Sequence, residues 1–204
     1  MAKKLRRCIR YISDMTIEKV FALNTKASRS IKEHYCDFHH DNYGYATLSY
    51  LSLYFMLKPL KLSSEDVIFD IGSGEGRILC FISLKPVKHC VGIEFVSELV
   101  EQAKKNAQSM RFRKSSIDFY CLDAIDADYS TGSVYLLFNP FGENTLKSVL
   151  EKIKLSVKQN PRAVRIAYFN PVHESIMDKC GWLSCFYKKK PGLSPLWASY
   201  WTNE

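Results

Sequence analysis

Residues 70–77 of this 204-residue chain read Asp-Ile-Gly-Ser-Gly-Glu-Gly-Arg. Glycines at 72, 74 and 76 let a backbone turn sharply and approach a ligand closely. The spacing is GxGxG, and the GxGxxG of dinucleotide sites would need glycine where Arg77 stands. Glu75 also places an anion at the helix start, where a pyrophosphate would otherwise meet free N–H groups. Two more acids follow. Glu94 stands 22 residues after Gly72, and a carboxylate there can accept both hydroxyls of a ribose. Asp123 can accept a hydrogen bond from an adenine amino group, although an acid at a strand end is also an ordinary turn residue. One glycine loop ringed by acids suits a ligand that carries positive charge and no phosphate. S-adenosylmethionine (SAM), with a sulfonium, an ammonium, a ribose and an adenine, fits.

The elements that must position these residues alternate from about Asp66 onward. Apolar runs predict strands at 67–71, 89–94, 117–122, 134–138, 163–169, 183–187 and 196–201. Between them lie helical patterns from about Arg77, from Ser97 as a cap, and over Leu146, Val149, Leu150, Ile153 and Val157, the last stopped by Asn160-Pro161. Strand–helix alternation with near-continuous apolar strands predicts an α/β, doubly wound, mostly parallel seven-stranded sheet covered on both faces. The last two strands are expected to form an antiparallel edge hairpin. Such a sheet places ligands at the C-terminal ends of its strands.

Taken together, Asp70–Arg77, Val91-Gly-Ile-Glu94 and Leu122-Asp123-Ala124 resemble the cofactor motifs of class I, seven-strand SAM-dependent methyltransferases. The resemblance covers roughly residue 43 to the end. It implies that Gly72, Ser73, Gly74 and Gly76 pass the methionine moiety. It further implies that Asp70 helps hold the ammonium, Glu94 the ribose and Asp123 the adenine. The Gly-Ser-Gly-x-Gly-Arg form followed by Gly-Ile-Glu is also similar to the subset that methylates protein lysines, including the non-SET histone methyltransferases.

In that family the residues after the fourth strand face the transferred methyl, and here they read Phe138-Asn139-Pro140-Phe141-Gly142. Methyl transfer is an in-line displacement, so placing the nucleophile's lone pair is the main task. An Asn side-chain oxygen and a carbonyl held by proline can accept hydrogen bonds from an amine, with Phe141 packed beside it. Asn139, Pro140 and Phe141 are therefore the expected acceptor-positioning residues. The Asn-Pro-Pro-aromatic motif of enzymes acting on amino groups of bases or glutamine is similar, but its second proline is absent. A structural Asn-Pro turn is the alternative. Upstream, Tyr45 and Thr47 are expected near SAM or the acceptor, unless Thr47 caps the next helix.

Other signals carry less. His34, Cys36, His39 and His40 have the composition of a metal site without paired spacing, so no metal is expected. His173-Glu174 can supply a general base but has no motif around it. Seven cysteines, odd in number and without a CxxC pair, fit a reduced, cytoplasmic setting with no secretory signal. The longest uncharged stretch, 42–57, is too short for a membrane span and reads as a buried helix.

The formal charge of +8 is concentrated at the front. Residues 1–32 hold nine basic and two acidic side chains, Asp14 and Glu18, a net of +7, whereas the remainder is nearly neutral. Leu5, Cys8, Ile9 and Ile12 recur at helical spacing. The expected organisation is a basic, helical N-terminal extension over 1–42 and a SAM-dependent methyltransferase domain over 43–204. An amine on a protein, lysine first, is the expected methyl acceptor. A nucleic acid met through the basic arm, a small-molecule acceptor and a non-catalytic SAM-binding module are the alternatives.

Overall fold

The computed structural model describes residues 2–25, 47–189 and 197–204, with side chains from Tyr11 onward. Helix α1 (Ala2–Phe21) precedes α2 (Tyr50–Leu57) and a 3-10 turn (Lys58–Leu60). Then come β1 (Val67–Ile71), α3 (Arg77–Ile82), β2 (His89–Glu94), α4 (Ser97–Ser109) and β3 (Ile117–Cys121). The chain continues through β4 (Val134–Phe138), α5 (Glu143–Gln159), β5 (Arg165–Phe169), α6 (Glu174–Lys179), β6 (Ser184–Lys189) and β7 (Ala198–Thr202).

The strands form one seven-stranded sheet in the order β3-β2-β1-β4-β5-β7-β6. The first five are parallel, while β7 runs antiparallel to both β5 and β6. The order reverses direction beside β1, which pairs β2 on one side and β4 on the other. A crevice opens at such a reversal, outside the carboxyl ends of the strands. This is the expected doubly wound sheet with its edge hairpin.

Strand alternation divides the core into two layers. Ile68, Leu136, Ala167 and Phe169 pack with Leu53, Met56 and Leu79 from α2 and α3. Phe69, Ile71, Leu137, Ile166 and Tyr168 pack with Leu146, Val149, Leu150 and Ile153 of α5. Each fully buried Leu, Ile or Phe contributes roughly 1.5–3 kcal/mol. β6 has no such role, since all six of its residues are exposed at the sheet edge.

Two caps differ from expectation. Thr47 is exposed, and α2 is capped instead by Ser49, whose hydroxyl accepts the Ser52 N–H at 3.2 Å. Ser97 is the first helical residue of α4 rather than its cap, and its hydroxyl donates to Glu98. Before α2 two hydroxyl residues, Thr47 and Ser49, stand close to the helix start, and at α4 Ser97 lies one position inside it, so the local rule does not fix the cap.

The N-terminal helix meets the body through its acids. Ile17 and Phe21 pack on the core, while Ile12 is 63% exposed. Asp14 and Glu18 both turn toward Arg77, the first residue of α3. No described helix is long and apolar enough to cross a membrane.

Candidate functional site

The glycine loop leaves β1 and is tied at once to β2. Gly72 N–H and Ser73 N–H both donate to the Ile93 carbonyl, at 2.8 and 3.0 Å. Glu94 Oε2 accepts Gly74 N–H at 2.9 Å, and its Oε1 accepts Val96 N–H at 3.0 Å. The carboxylate expected on the ribose therefore also fixes the loop that would face the methionine. A carboxylate has about four acceptor positions, so capacity remains for a hydroxyl donor.

At two positions the loop tolerates only glycine. Gly72 has φ +81°, and a Cβ there would lie 2.6 Å from Pro140 Cβ. Gly76 has φ +79°, and its Cβ would meet the Phe119 ring at 2.5 Å. Left-handed backbone is costly for other residues, and here the space is filled as well. The first contact joins the two motifs: the Asn139-Pro140 turn sits directly on the start of the glycine loop.

Asp70 is 1% exposed, and its Oδ2 is buried without a hydrogen-bond partner. Burial, and the Glu94 carboxylate beyond it, push the Asp70 carboxyl well above the usual carboxylate range. Burial also pushes Glu94 up, with the N–H groups of Val96, Gly74 and Phe95 pulling it partway back. The Ser73 hydroxyl oxygen is likewise buried and unpartnered. An orphaned acceptor at low dielectric is expensive unless a donor meets it. A ligand ammonium is such a donor, so the residues present fit the cationic cofactor expected from the sequence.

Asp123 follows β3 and is half-buried. Its Oδ1 accepts Ile125 N–H at 3.0 Å and its carbonyl accepts Asp126 N–H at 2.9 Å, so it also serves as a turn residue. Glu94 pairs across the sheet with Cys121, two residues before Asp123, which keeps these two acids on one edge.

On the acceptor side, Asn139 and Pro140 are half-exposed, whereas Phe141 is 4% exposed and packs in the core under α5. Asn139 has φ +44°, and its Oδ1 accepts the Tyr168 hydroxyl at 3.1 Å. Thr47 is exposed before α2, and Tyr45, like the His34–His40 cluster, lies outside the described residues. Among the described residues no cluster of His, Cys, Asp and Glu could hold a metal ion. His173 Nδ1 stands 3.7 Å from Glu143 Oε1, near Tyr168.

Arg77 is the residue that sequence reasoning missed. It is 4% exposed and closes the loop at the start of α3. Its guanidinium donates to Asp14 at 3.2 Å, Glu18 at 2.9 Å and the Leu48 carbonyl at 3.0 Å, and it lies 4.5 Å from the Tyr50 ring centre. Asn106 adds a second stitch, donating from Nδ2 to Asn24 and Glu75 carbonyls at 2.8 and 2.9 Å. The signal was present: Asp14 and Glu18, four apart, are the two acids of an otherwise basic segment.

A separate cavity of about 580 Å³ opens at the other end of the sheet, lined by Lys58, Lys61, Arg165, Phe186 and Tyr187. No glycine-loop residue lines it.

With this geometry in place, comparison with known proteins is informative. Residues 22–139 match the family model described as histone methylation protein DOT1. A protein-lysine N-methyltransferase of Saccharolobus islandicus is 32% identical over 102 residues, covering 48% of this chain and 61% of that protein. An uncharacterized protein of Methanocaldococcus jannaschii is 32% identical over 97 residues, covering 48% of this chain and 38% of its own. The chain thus spans less than two thirds of the length of either relative. Among solved structures, an RNA methyltransferase from Salinibacter ruber in complex with S-adenosyl-L-homocysteine aligns with a TM-score of 0.57 at 20% identity. That alignment covers 78% of this chain and 93% of the other, a likeness of fold. The glycine loop, the strand-end acids and Asn139, the first residue after β4, all fall inside the matched segment, and the chain belongs to the histone methylation protein DOT1 family, on the class I SAM-dependent methyltransferase fold.

Proposed function

We propose that this protein transfers a methyl group from SAM to an amine nitrogen on a protein, lysine in the first instance. The observation that carries the cofactor half is the buried, unpartnered Asp70 Oδ2 beside a glycine loop held open by Glu94. In this reading Asp70 and Ser73 hold the methionine ammonium and carboxylate, Glu94 the ribose hydroxyls and Asp123 the adenine amino group. Bound there, SAM supplies an electrophilic methyl on a positively charged sulfur.

The chain's own residues then have two tasks. The acids around the loop offset a cationic ligand in a site of low dielectric, where such charges interact strongly. Asn139 and Pro140 hold the acceptor so that a neutral amine presents its lone pair in line with the methyl. Pro140 supports this assignment by seating the acceptor turn on Gly72, the loop residue nearest β1.

Lysine is favoured by the family, described as a histone methylation protein, and by the relative named a protein-lysine N-methyltransferase. The body after residue 32 is nearly neutral, whereas tracking a phosphate backbone calls for basic lining. A nucleic-acid acceptor is the second reading, carried by the basic first 32 residues.

Incubation with methyl-labelled SAM and a fractionated lysate distinguishes these readings. Label in protein, recovered as methyl-lysine after hydrolysis, is the expected result. Label in RNA or DNA, lost steeply as salt rises, would replace the lysine reading with the nucleic-acid one.

A further inference from the structure

Strands β4 and β5 leave the sheet through the same tripeptide. Phe138-Asn139-Pro140 and Phe169-Asn170-Pro171 stand in register, Phe138 beside Phe169. Both asparagines adopt left-handed backbone, with φ +44° and +51°. Asn enters that region more readily than other non-glycine residues, and such conformations persist where the surroundings hold them.

The second turn is held firmly. Asn170 N–H donates to the Trp197 carbonyl at 2.9 Å, and the Asn170 carbonyl accepts Val172 N–H at 2.8 Å. This brings His173 N–H to 3.4 Å from the hydroxyl oxygen of Tyr168. Tyr168 is 1% exposed, and its O–H donates to Asn139 Oδ1 at 3.1 Å. A backbone N–H can only donate. It therefore occupies a lone pair of the Tyr168 oxygen, and the hydroxyl proton is directed to Asn139.

We propose that Tyr168 is a positioning residue for methyl transfer, fixing through its hydroxyl which face of the Asn139 carboxamide meets the acceptor. The inference rests on the reading of Asn139 as the acceptor-holding residue. A carboxamide offers a carbonyl on one side and an NH₂ on the other. With Tyr168 on Oδ1, the carbonyl stays in place, and its second lone pair accepts an N–H of the acceptor amine. Without that hydroxyl the group turns about its last bond, and the NH₂ competes for the amine lone pair that must attack the methyl. The second Phe-Asn-Pro turn thus acts at a distance, by holding the His173 amide on Tyr168.

The test uses the full chain, methyl-labelled SAM and core histones as the acceptor probe. Tyr168→Phe keeps the ring in the core and is expected to lower kcat about tenfold, the size of one well-placed hydrogen bond, with SAM affinity changed less than twofold. In an Asn139→Gly background, which suits the positive φ, the same change is expected to add nothing. A parental rate in Tyr168→Phe overturns the proposal. So does an equal loss in both backgrounds, since the hydroxyl would then act without Asn139. If Asn139→Gly leaves turnover intact, the acceptor reading of Asn139 fails and this inference falls with it. If Asn139→Gly slows turnover and Tyr168→Phe does not, only the role of Tyr168 is lost. Should histones take no label, the Asn139 side-chain amide resonance decides, recorded with S-adenosylhomocysteine bound. A shift in Tyr168→Phe supports the proposal, and an unchanged resonance overturns it.

Discussion

The two halves of the sheet's carboxyl edge are built by opposite means. On the β1–β3 side, glycines remove side chains and three acids supply charge, and the buried Asp70 Oδ2 has no partner of its own. On the β4–β5 side, asparagines stand at left-handed positions and the polar atoms are paired with one another, Tyr168 with Asn139 and His173 with Tyr168. In the proposed reading the first half receives a cation and the second holds the Asn139 carboxamide in one orientation. Gly72 and Pro140 are where the halves touch.

That contact is where the comparison breaks most easily. Gly72→Ala places a Cβ 2.6 Å from Pro140 Cβ at φ +81°, so one half must move away from the other. Loss of more than a hundredfold in both SAM affinity and turnover is expected, read by calorimetry and labelled SAM. Loss of turnover alone would mean that the acceptor turn yields and the cofactor loop does not.

Next in size is the clasp behind the loop. Removing one partner of a buried ion pair leaves the other charge uncompensated, at a cost of about 3–5 kcal/mol. Glu18→Ala leaves Arg77 with Asp14 as its one remaining acid in the clasp and is expected to lower the free energy of denaturant unfolding by up to that amount, with SAM affinity falling as α3 loosens. Unchanged SAM affinity would assign the clasp to stability alone. Smaller again is Asn139→Gly, expected to reduce kcat tenfold or more while leaving SAM affinity within about twofold. Equal losses in kcat and SAM affinity would erase the division between the halves.

How much of this the sequence made legible follows the same division. The glycine loop, Glu94 and Asp123 stand out in the sequence because their signal is local: each follows a strand at a recognisable spacing. The central strands are equally visible, since burial on both faces of β1, β4 and β5 leaves continuous apolar runs. Arg77 reads in the sequence as the end of the glycine motif and the start of a helix, with nothing to show its partners. Its partners lie 63 and 59 positions upstream, and no periodicity links them. Tyr168 looks like one more aromatic in a buried strand, because its hydroxyl reaches Asn139 only through the β4–β5 register, which sets Tyr168 beside Leu137. The caps at Ser49 and Val96 were missed because neighbouring hydroxyl residues satisfy the same local rule.

The central claim, that Asp70 receives the charge of SAM, also governs stability. A carboxyl raised in the folded state contributes stability below its unfolded pKa, and that contribution is lost as pH rises through the folded value. The ligand-free protein should therefore weaken as pH rises out of the acid range, and SAM should restore what is lost. Asp70→Asn removes a carboxyl that burial makes costly to ionise, so its ligand-free form should melt higher than the parent at neutral pH. Calorimetric titration of SAM into the parent and into Asp70→Asn, with melting curves of both, tests this directly. The account predicts at least tenfold weaker SAM binding in the more stable variant. Equal affinity, in a variant no more stable than the parent, would contradict it.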